Sequence, residues 1–236
     1  MGPQRVAPAR PVAPCRWDLD PAQADADGVV GVGADLDVAT LVAAYHRGVF
    51  PWPHSGVPLP WFSPDPRAVL APARFHVSRS LGRTLRSSGL ETTVDEDVAS
   101  VIAACAQRDE GSWITTEMQD AYLELAALGW VHSVEVRDGD DLVGGIYGVQ
   151  VGGVFTGESM FHRRDDASKI ALLDLCARFA EAGGVLVDVQ LPTDHLRSLG
   201  AVPIAREAFL RVLRHESQRA CLMRADRLPV SRLAAP

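Results

Sequence analysis

The sequence predicts an α/β (α+β) protein, a small N-terminal domain on a larger domain with a mainly antiparallel mixed sheet. Three observations predict it. The hydrophobic period changes from helical to about 2 residues at His132 and turns helical again at Ser168. Strand-like runs follow one another there, separated by the turn sequences Asp138-Gly139-Asp140-Asp141 and Gly152-Gly153. Six prolines between Val49 and Arg67 divide this region from a short helical pattern before it.

The composition is that of a globular protein with an ordinary core. Of 236 residues, 47% are hydrophobic and 22% are charged. A net charge of −7 argues against a generally basic nucleic-acid coat but leaves room for a local basic patch. Cys15, Cys105, Cys176 and Cys221 form no CxxC pair, so neither a zinc ribbon nor a redox motif is expected. The seven histidines have no HExxH-like spacing, and no metal is expected. No apolar run is long enough to span a membrane, and no secretory h-region precedes the fold, so the expected location is cytoplasmic.

Residues 1–27 are rich in Pro, Ala and Asp and read as an extended or disordered arm. The N-terminal domain covers 28–66. Its first glycines, Gly28, Gly31 and Gly33, do not make a GxGxxG loop. Asp37 can cap a helix over Val38–Arg47, stopped by Gly48. The proline-rich stretch to Pro66 should be a rigid irregular loop. Its aromatics, Phe50, Trp52, Trp61 and Phe62, suit a satellite core or a stacking wall equally well.

The catalytic domain is expected over 67–217. Ala68–Leu70 is a short strand and Ser78–Ser87 a helix. Arg79, Arg83 and Arg86 share one face of that helix, with Arg74 close by. Such a stripe is commonly a solvated face, but without acids it also suits phosphate contact. A helix over Asp97–Arg108 and the loop Asp109–Ile114 follow. Thr115 then caps a helix over Thr116–Leu128. His132–Arg137 and Leu142–Gln150 pair as a hairpin, and Val154–Glu158 adds a third strand. Ser168–Glu181 is an amphipathic helix, and Val185–Leu191 is a further strand. Thr193 caps a short helix to Leu199, and a last helix covers Arg206–Arg214. Residues 218–236 read as a loose tail.

The order β-β-β-α-β-α over 132–214 resembles the GNAT (N-acetyltransferase) architecture. The stretch matching the coenzyme A loop of that fold is His162-Arg163-Arg164-Asp165-Asp166-Ala167-Ser168. It contains no glycine and two acids, which suits a pyrophosphate poorly. A GNAT-like core that does not use acetyl-CoA is therefore expected, and no cofactor.

An ordered series of motifs runs through the chain. It begins with Gly33-Ala34-Asp35-Leu36, Tyr45-His46-Arg47-Gly48-Val49-Phe50-Pro51-Trp52 and Trp61-Phe62-Ser63-Pro64-Asp65-Pro66-Arg67. It continues with Gly111-Ser112-Trp113-Ile114-Thr115, Gly144-Gly145-Ile146-Tyr147-Gly148 and Gly157-Glu158-Ser159-Met160-Phe161. It ends with Asp188-Val189-Gln190 and His195-Leu196-Arg197-Ser198-Leu199-Gly200. Together they resemble the leucyl/phenylalanyl-tRNA–protein transferase family. The resemblance implies transfer of Leu or Phe, with Met as a further donor, from aminoacyl-tRNA to the α-amine of a protein beginning with Arg or Lys. That peptide bond marks the acceptor for degradation through the N-degron pathway. It also implies a monomer whose partners are leucyl-tRNA, phenylalanyl-tRNA and such proteins.

Alternation along a strand places Asp188 and Gln190 on one face, and the family likewise has these two at the reaction centre. Asp188 is assigned as orienting group or base, acting through Gln190. Glu158 is assigned to the basic side chain or the ammonium of the acceptor. Its alternative partners would be Lys169 or Arg163. Ile146, Phe155 and Phe179 match the donor side-chain pocket, where Ile146 departs from the more common Met. Trp52 and Trp113 match the 3′-adenosine contacts, and Arg74, Arg79, Arg83 and Arg86 would meet tRNA phosphates. Two other functions stay open: a GNAT enzyme using acetyl-CoA, and a non-catalytic adaptor for N-terminal Arg or Lys.

Overall fold

The computed structural model describes residues 2–107 and 112–234. The Arg108 end of the expected helix, the Asp109–Gly111 part of the expected loop, and Ala235 and Pro236 of the tail lie outside them.

An eight-stranded sheet forms the middle layer. Its strands are β4 (Arg67–Leu70), β5 (Glu91–Val94), β6 (Val131–Asp138), β7 (Asp141–Val151), β8 (Val154–His162), β9 (Leu186–Gln190), β10 (Val202–Ile204) and β11 (Leu228–Pro229). They are ordered β10-β4-β9-β8-β7-β6-β5-β11. β8 and β9 run parallel, and the other neighbours are antiparallel. The parallel pair follows from the crossover helix α5 (Ala167–Glu181), since a parallel partner cannot be reached by a tight turn. The β6-β7-β8-α5-β9 order is the one expected from the sequence.

Two cores lie on the two faces of the sheet. On one, Leu81 and Leu85 of α2 (Arg79–Ser87) join Ile170, Leu172, Cys176 and Phe179 of α5. On the other pack α1 (Val38–His46), α3 (Val98–Ala106), α4 (Thr116–Ala127) and α7 (Arg206–Glu216). Leu41, Tyr45 and Trp61 of the N-terminal region join Met118, Tyr122 and Tyr147 there, so the two expected domains share one core. Local cap chemistry fixes several helix starts. The side chains of Ser78, Asp97, Thr115 and Thr193 accept from the backbone N–H of Leu81, Ser100, Met118 and Leu196. Thr193 opens α6 (Asp194–Ser198).

Three expectations need correction. The proline-rich stretch is not wholly irregular: β2 (Phe50–Pro51) and β3 (Pro60–Phe62) pair with β1 (Val29–Val32) in a small sheet ordered β1-β3-β2. Strands this short hold a proline at an end without losing a central ladder bond. The tail is not loose. β11 pairs with β5, and the fully buried Arg178 donates to the carbonyls of Arg224 at 2.8 Å and Asp226 at 3.0 Å. The arm is extended but ordered against that tail. Val6 N–H donates to Met223 O at 3.0 Å, Ala225 N–H to Gln4 O at 2.8 Å, and Val6 is buried. Pairing between segments so distant in sequence leaves no local periodic signal.

Candidate active site

The site begins where β8 and β9 part. Their pairing covers three positions, Val154 with Leu186, Phe155 with Val187 and Thr156 with Asp188. Beyond them β8 continues to His162, whereas β9 ends two residues later in a turn at Gln190, whose φ is +55°. Leu191 N–H closes that turn on Val189 O at 2.7 Å. The gap so opened is a cavity of about 370 Å³. Its apolar lining comes from Ile146, Met160, Leu172, Val189, Leu191 and Leu196. Phe50, Pro51, Trp52 and Trp113 line it as well, and Glu158, Ser159, Gln190 and Thr193 supply polar groups. A concave apolar chamber with few convergent polar groups is what a ligand site requires.

β7 bulges at Tyr147/Gly148, beside this region. A Cβ at Gly148 would lie 2.1 Å from Thr156 O, so the close approach of β7 and β8 requires glycine.

Asp188 lies under the floor, fully buried. Its Oδ1 accepts from Arg67 Nε at 2.8 Å and from Gln190 N–H at 3.0 Å. Its Oδ2 accepts from Arg67 Nη2 at 2.7 Å and from Thr156 Oγ1 at 3.2 Å. Four bonds use up the acceptor capacity of a carboxylate. Arg67 also bonds Gly48 O at 3.2 Å and lies between the rings of Phe50 and Phe209, at 4.9 and 4.6 Å. The Asp188 bond to its backbone helps hold Gln190 in the left-handed conformation that ends the strand.

Glu158 stands at the cavity edge, partly buried. Its Oε2 accepts from Tyr122 Oη at 3.0 Å, and Tyr122 Oη meets Tyr45 Oη at 2.5 Å. Its Oε1 accepts from Gln190 Nε2 at 3.3 Å. The two basic partners considered for it are engaged elsewhere. Lys169 pairs with Asp166, and Arg163 bonds the Leu142 carbonyl. Burial pushes the Glu158 carboxyl from 4.5 up to about 7. Tyr45 and Tyr122 pull it down by hydrogen bonding, Asp188 raises it further, and Arg67 lowers it. Burial also raises the phenols of Tyr45 and Tyr122 well above their usual range.

The cavity thus brings Trp52, Trp113, Ile146, Glu158 and Gln190 together. Phe155 and Phe179 are not in its lining. They are fully buried against each other, edge to face at 6.0 Å, inside the α5 core. Arg74, Arg79, Arg83 and Arg86 are exposed, and none forms an ion pair among the described residues. Arg74 packs its backbone beside Gly200, next to the α6 segment whose Leu196 lines the cavity. At the start of α5, the Asp166 carboxylate accepts from Thr84 Oγ1 at 2.9 Å and Lys169 Nζ at 2.7 Å. The sequence did not single out Arg67, which holds Asp188, or Tyr122 and Tyr45, which lead to Glu158. The available signal for Arg67 is an arginine at the head of an otherwise apolar strand, Arg67-Ala68-Val69-Leu70.

A family model described as leucyl/phenylalanyl-tRNA protein transferase matches residues 69–214, and a model of its N-terminal domain matches 34–65. This chain belongs to that family. Among relatives named leucyl/phenylalanyl-tRNA–protein transferase, one from Pseudomonas fluorescens is 50% identical over 204 residues, 85% of this chain and 90% of its own length. One from Yersinia pestis is 50% identical over 188 residues, 79% of this chain and 80% of its own. A solved GCN5-related N-acetyltransferase from Kribbella flavida overlays with a TM-score of 0.37 at 16% identity, covering 68% of this chain and 58% of its own. That overlay is too distant to inform the site. Family membership makes the transferase family the frame for the cavity between β8 and β9.

Proposed function

We propose that the protein transfers Leu or Phe, with Met as a further donor, from aminoacyl-tRNA to the α-amine of proteins beginning with Arg or Lys, creating an N-degron. Membership of the family over both matched regions is the observation that carries this reading. The donor is an activated ester, so the reaction needs no ATP and no metal. The donor side chain enters the apolar end of the cavity, against Ile146, Met160 and Leu172. Phe155 and Phe179 serve as the packed support behind that wall. Trp52 and Trp113 offer faces for the terminal adenosine. Arg74, Arg79, Arg83 and Arg86 meet acceptor-stem phosphates, each with a planar fork of donors.

The acceptor terminus comes to the polar end, beside Glu158 and Gln190. Gln190 is the group that touches substrate there. Asp188 acts by orienting Gln190, since its oxygens are already filled by Arg67, Thr156 and the Gln190 N–H. The protein works as a cytoplasmic monomer. Incubation with labelled leucyl-tRNA and a peptide beginning with Arg tests the reading. Label should enter the peptide. Absence of transfer by folded protein refutes the transferase, and transfer from acetyl-CoA instead supports an ordinary N-acetyltransferase.

A further inference from the structure

We infer that Glu158, held by Tyr122 and Tyr45, accepts the proton that the acceptor's α-ammonium must lose before it attacks the ester. This deepens the transferase reading and rests on it.

The amine arrives protonated, with an unperturbed pKa of about 8. A base must therefore reach it inside the cavity. Asp188 is badly placed for this: it is fully buried, and each of its oxygens already accepts two hydrogen bonds. Glu158 lines the cavity, where its Oε2 accepts from Tyr122 and its Oε1 from Gln190. A carboxylate accepts about four hydrogen bonds, so capacity for an incoming ammonium remains beside Tyr122, Tyr45 and Gln190. Among the described residues it forms no ion pair. The groups facing it are Tyr122 of α4, Tyr45 of α1, Gln190 and Asp188 of β9, and Arg67 of β4, with Tyr147 of β7 against Tyr122. Burial raises the carboxyl to about 7, close to the amine it would serve. Matched acid and base are the condition for efficient transfer.

The protons balance as follows. The ammonium gives one proton to Glu158. The freed amine attacks the ester carbonyl carbon, and the C–N bond forms. The ester C–O bond breaks, and the nitrogen's second proton leaves on the ribose oxygen as a hydroxyl. Glu158 returns its proton to water. Tyr122 and Tyr45 are positioning residues: they aim Glu158 and stabilise its charged form.

The test is the pH dependence of kcat/KM for leucyl transfer to an Arg-initiated peptide, between about pH 6 and about pH 9. Wild type should show an acid limb near 7, where Glu158 ionises, and an alkaline limb near the amine's own ionisation at about 8. Glu158→Gln should lower kcat by about 10²–10⁴ while leucyl-tRNA affinity is kept. Its acid limb near 7 should vanish, leaving a rate that climbs to a plateau as the amine ionises in solution. Tyr122→Phe should move the acid limb to higher pH, because it removes a donor to the charged carboxylate. The inference is overturned if Glu158→Gln keeps its kcat and only raises KM for the peptide, which would assign Glu158 to the basic side chain. Persistence of the acid limb in Glu158→Gln overturns it as well. A wild-type protein that transfers nothing defeats the transferase reading itself, and this inference with it.

Discussion

Replacing Arg67 by Met should unfold the site from beneath. Arg67 and Asp188 have side chains 1% and 0% exposed, joined by two bonds of 2.8 and 2.7 Å. Removing one partner leaves a carboxylate in the interior with half its donors gone. Breaking a buried pair in this way costs about 3–5 kcal/mol. The bond to Gly48 O and the ring faces of Phe50 and Phe209 go with it. For a chain of this size each kcal/mol lowers Tm by roughly 2–4 °C, so a fall of roughly 6–20 °C is expected. Adding Asp188→Asn removes the stranded charge. The double variant should recover at least ~1 kcal/mol over Arg67→Met, which a double-mutant cycle resolves. Urea midpoints and thermal melts of the four proteins supply the numbers. A loss below ~1 kcal/mol for Arg67→Met, or a double variant no more stable than the single, would refute the reasoning.

Other perturbations address the remaining parts. Glu158 binds protons more readily folded than unfolded, so its contribution to stability falls as pH rises from about 4.5 to about 7. Glu158→Gln should therefore stabilise the protein in the alkaline range, by up to about 3 kcal/mol, and do so less in acid; urea unfolding at both ends of that window measures it. Changing Arg79, Arg83 and Arg86 together to Gln should weaken leucyl-tRNA binding and flatten the plot of log affinity against log salt by roughly 2–3; an unchanged slope would remove these residues from the phosphate contacts. Trp52→Ala should weaken leucyl-tRNA binding by about 1–3 kcal/mol with an intact fold, measured by filter binding. Gly148→Ala, whose Cβ would meet Thr156 O at 2.1 Å, should cost about 1–3 kcal/mol in thermal stability.

Local chemistry was legible in the sequence, and long-range pairing was not. The helices α4 and α6 could be read because Thr115 and Thr193 act on N–H groups three residues away. The hairpin of β6 and β7 could be read from its turn. By contrast, Arg67 and Asp188 stand 121 residues apart, and Glu91 pairs with Pro229 across the chain. No window of sequence contains either pair. Phe155 and Phe179 show a subtler limit. Alternation along β8 tells which face Phe155 takes, but not that the cavity opens only past the last paired rung, at Gly157. Trp52, Trp113, Ile146, Glu158 and Gln190 fall together in the lining because their motifs sit on segments that meet at that opening.

The early parting of β8 and β9 separates two properties that usually change together. The void exists because backbone ladders diverge, and the sheet maintains that divergence from both sides, through β7 and β4. The side chains at Ile146, Met160 and Leu172 then shape its contour, Ile146 and Leu172 from within the sheet's own core and Met160 from its margin. Under the proposed function, an exchange at Met160 reshapes the donor's chamber at small cost to the core, whereas one at Ile146 or Leu172 alters chamber and core together. Donor preference then has one position free of the demands of folding and two that answer to both.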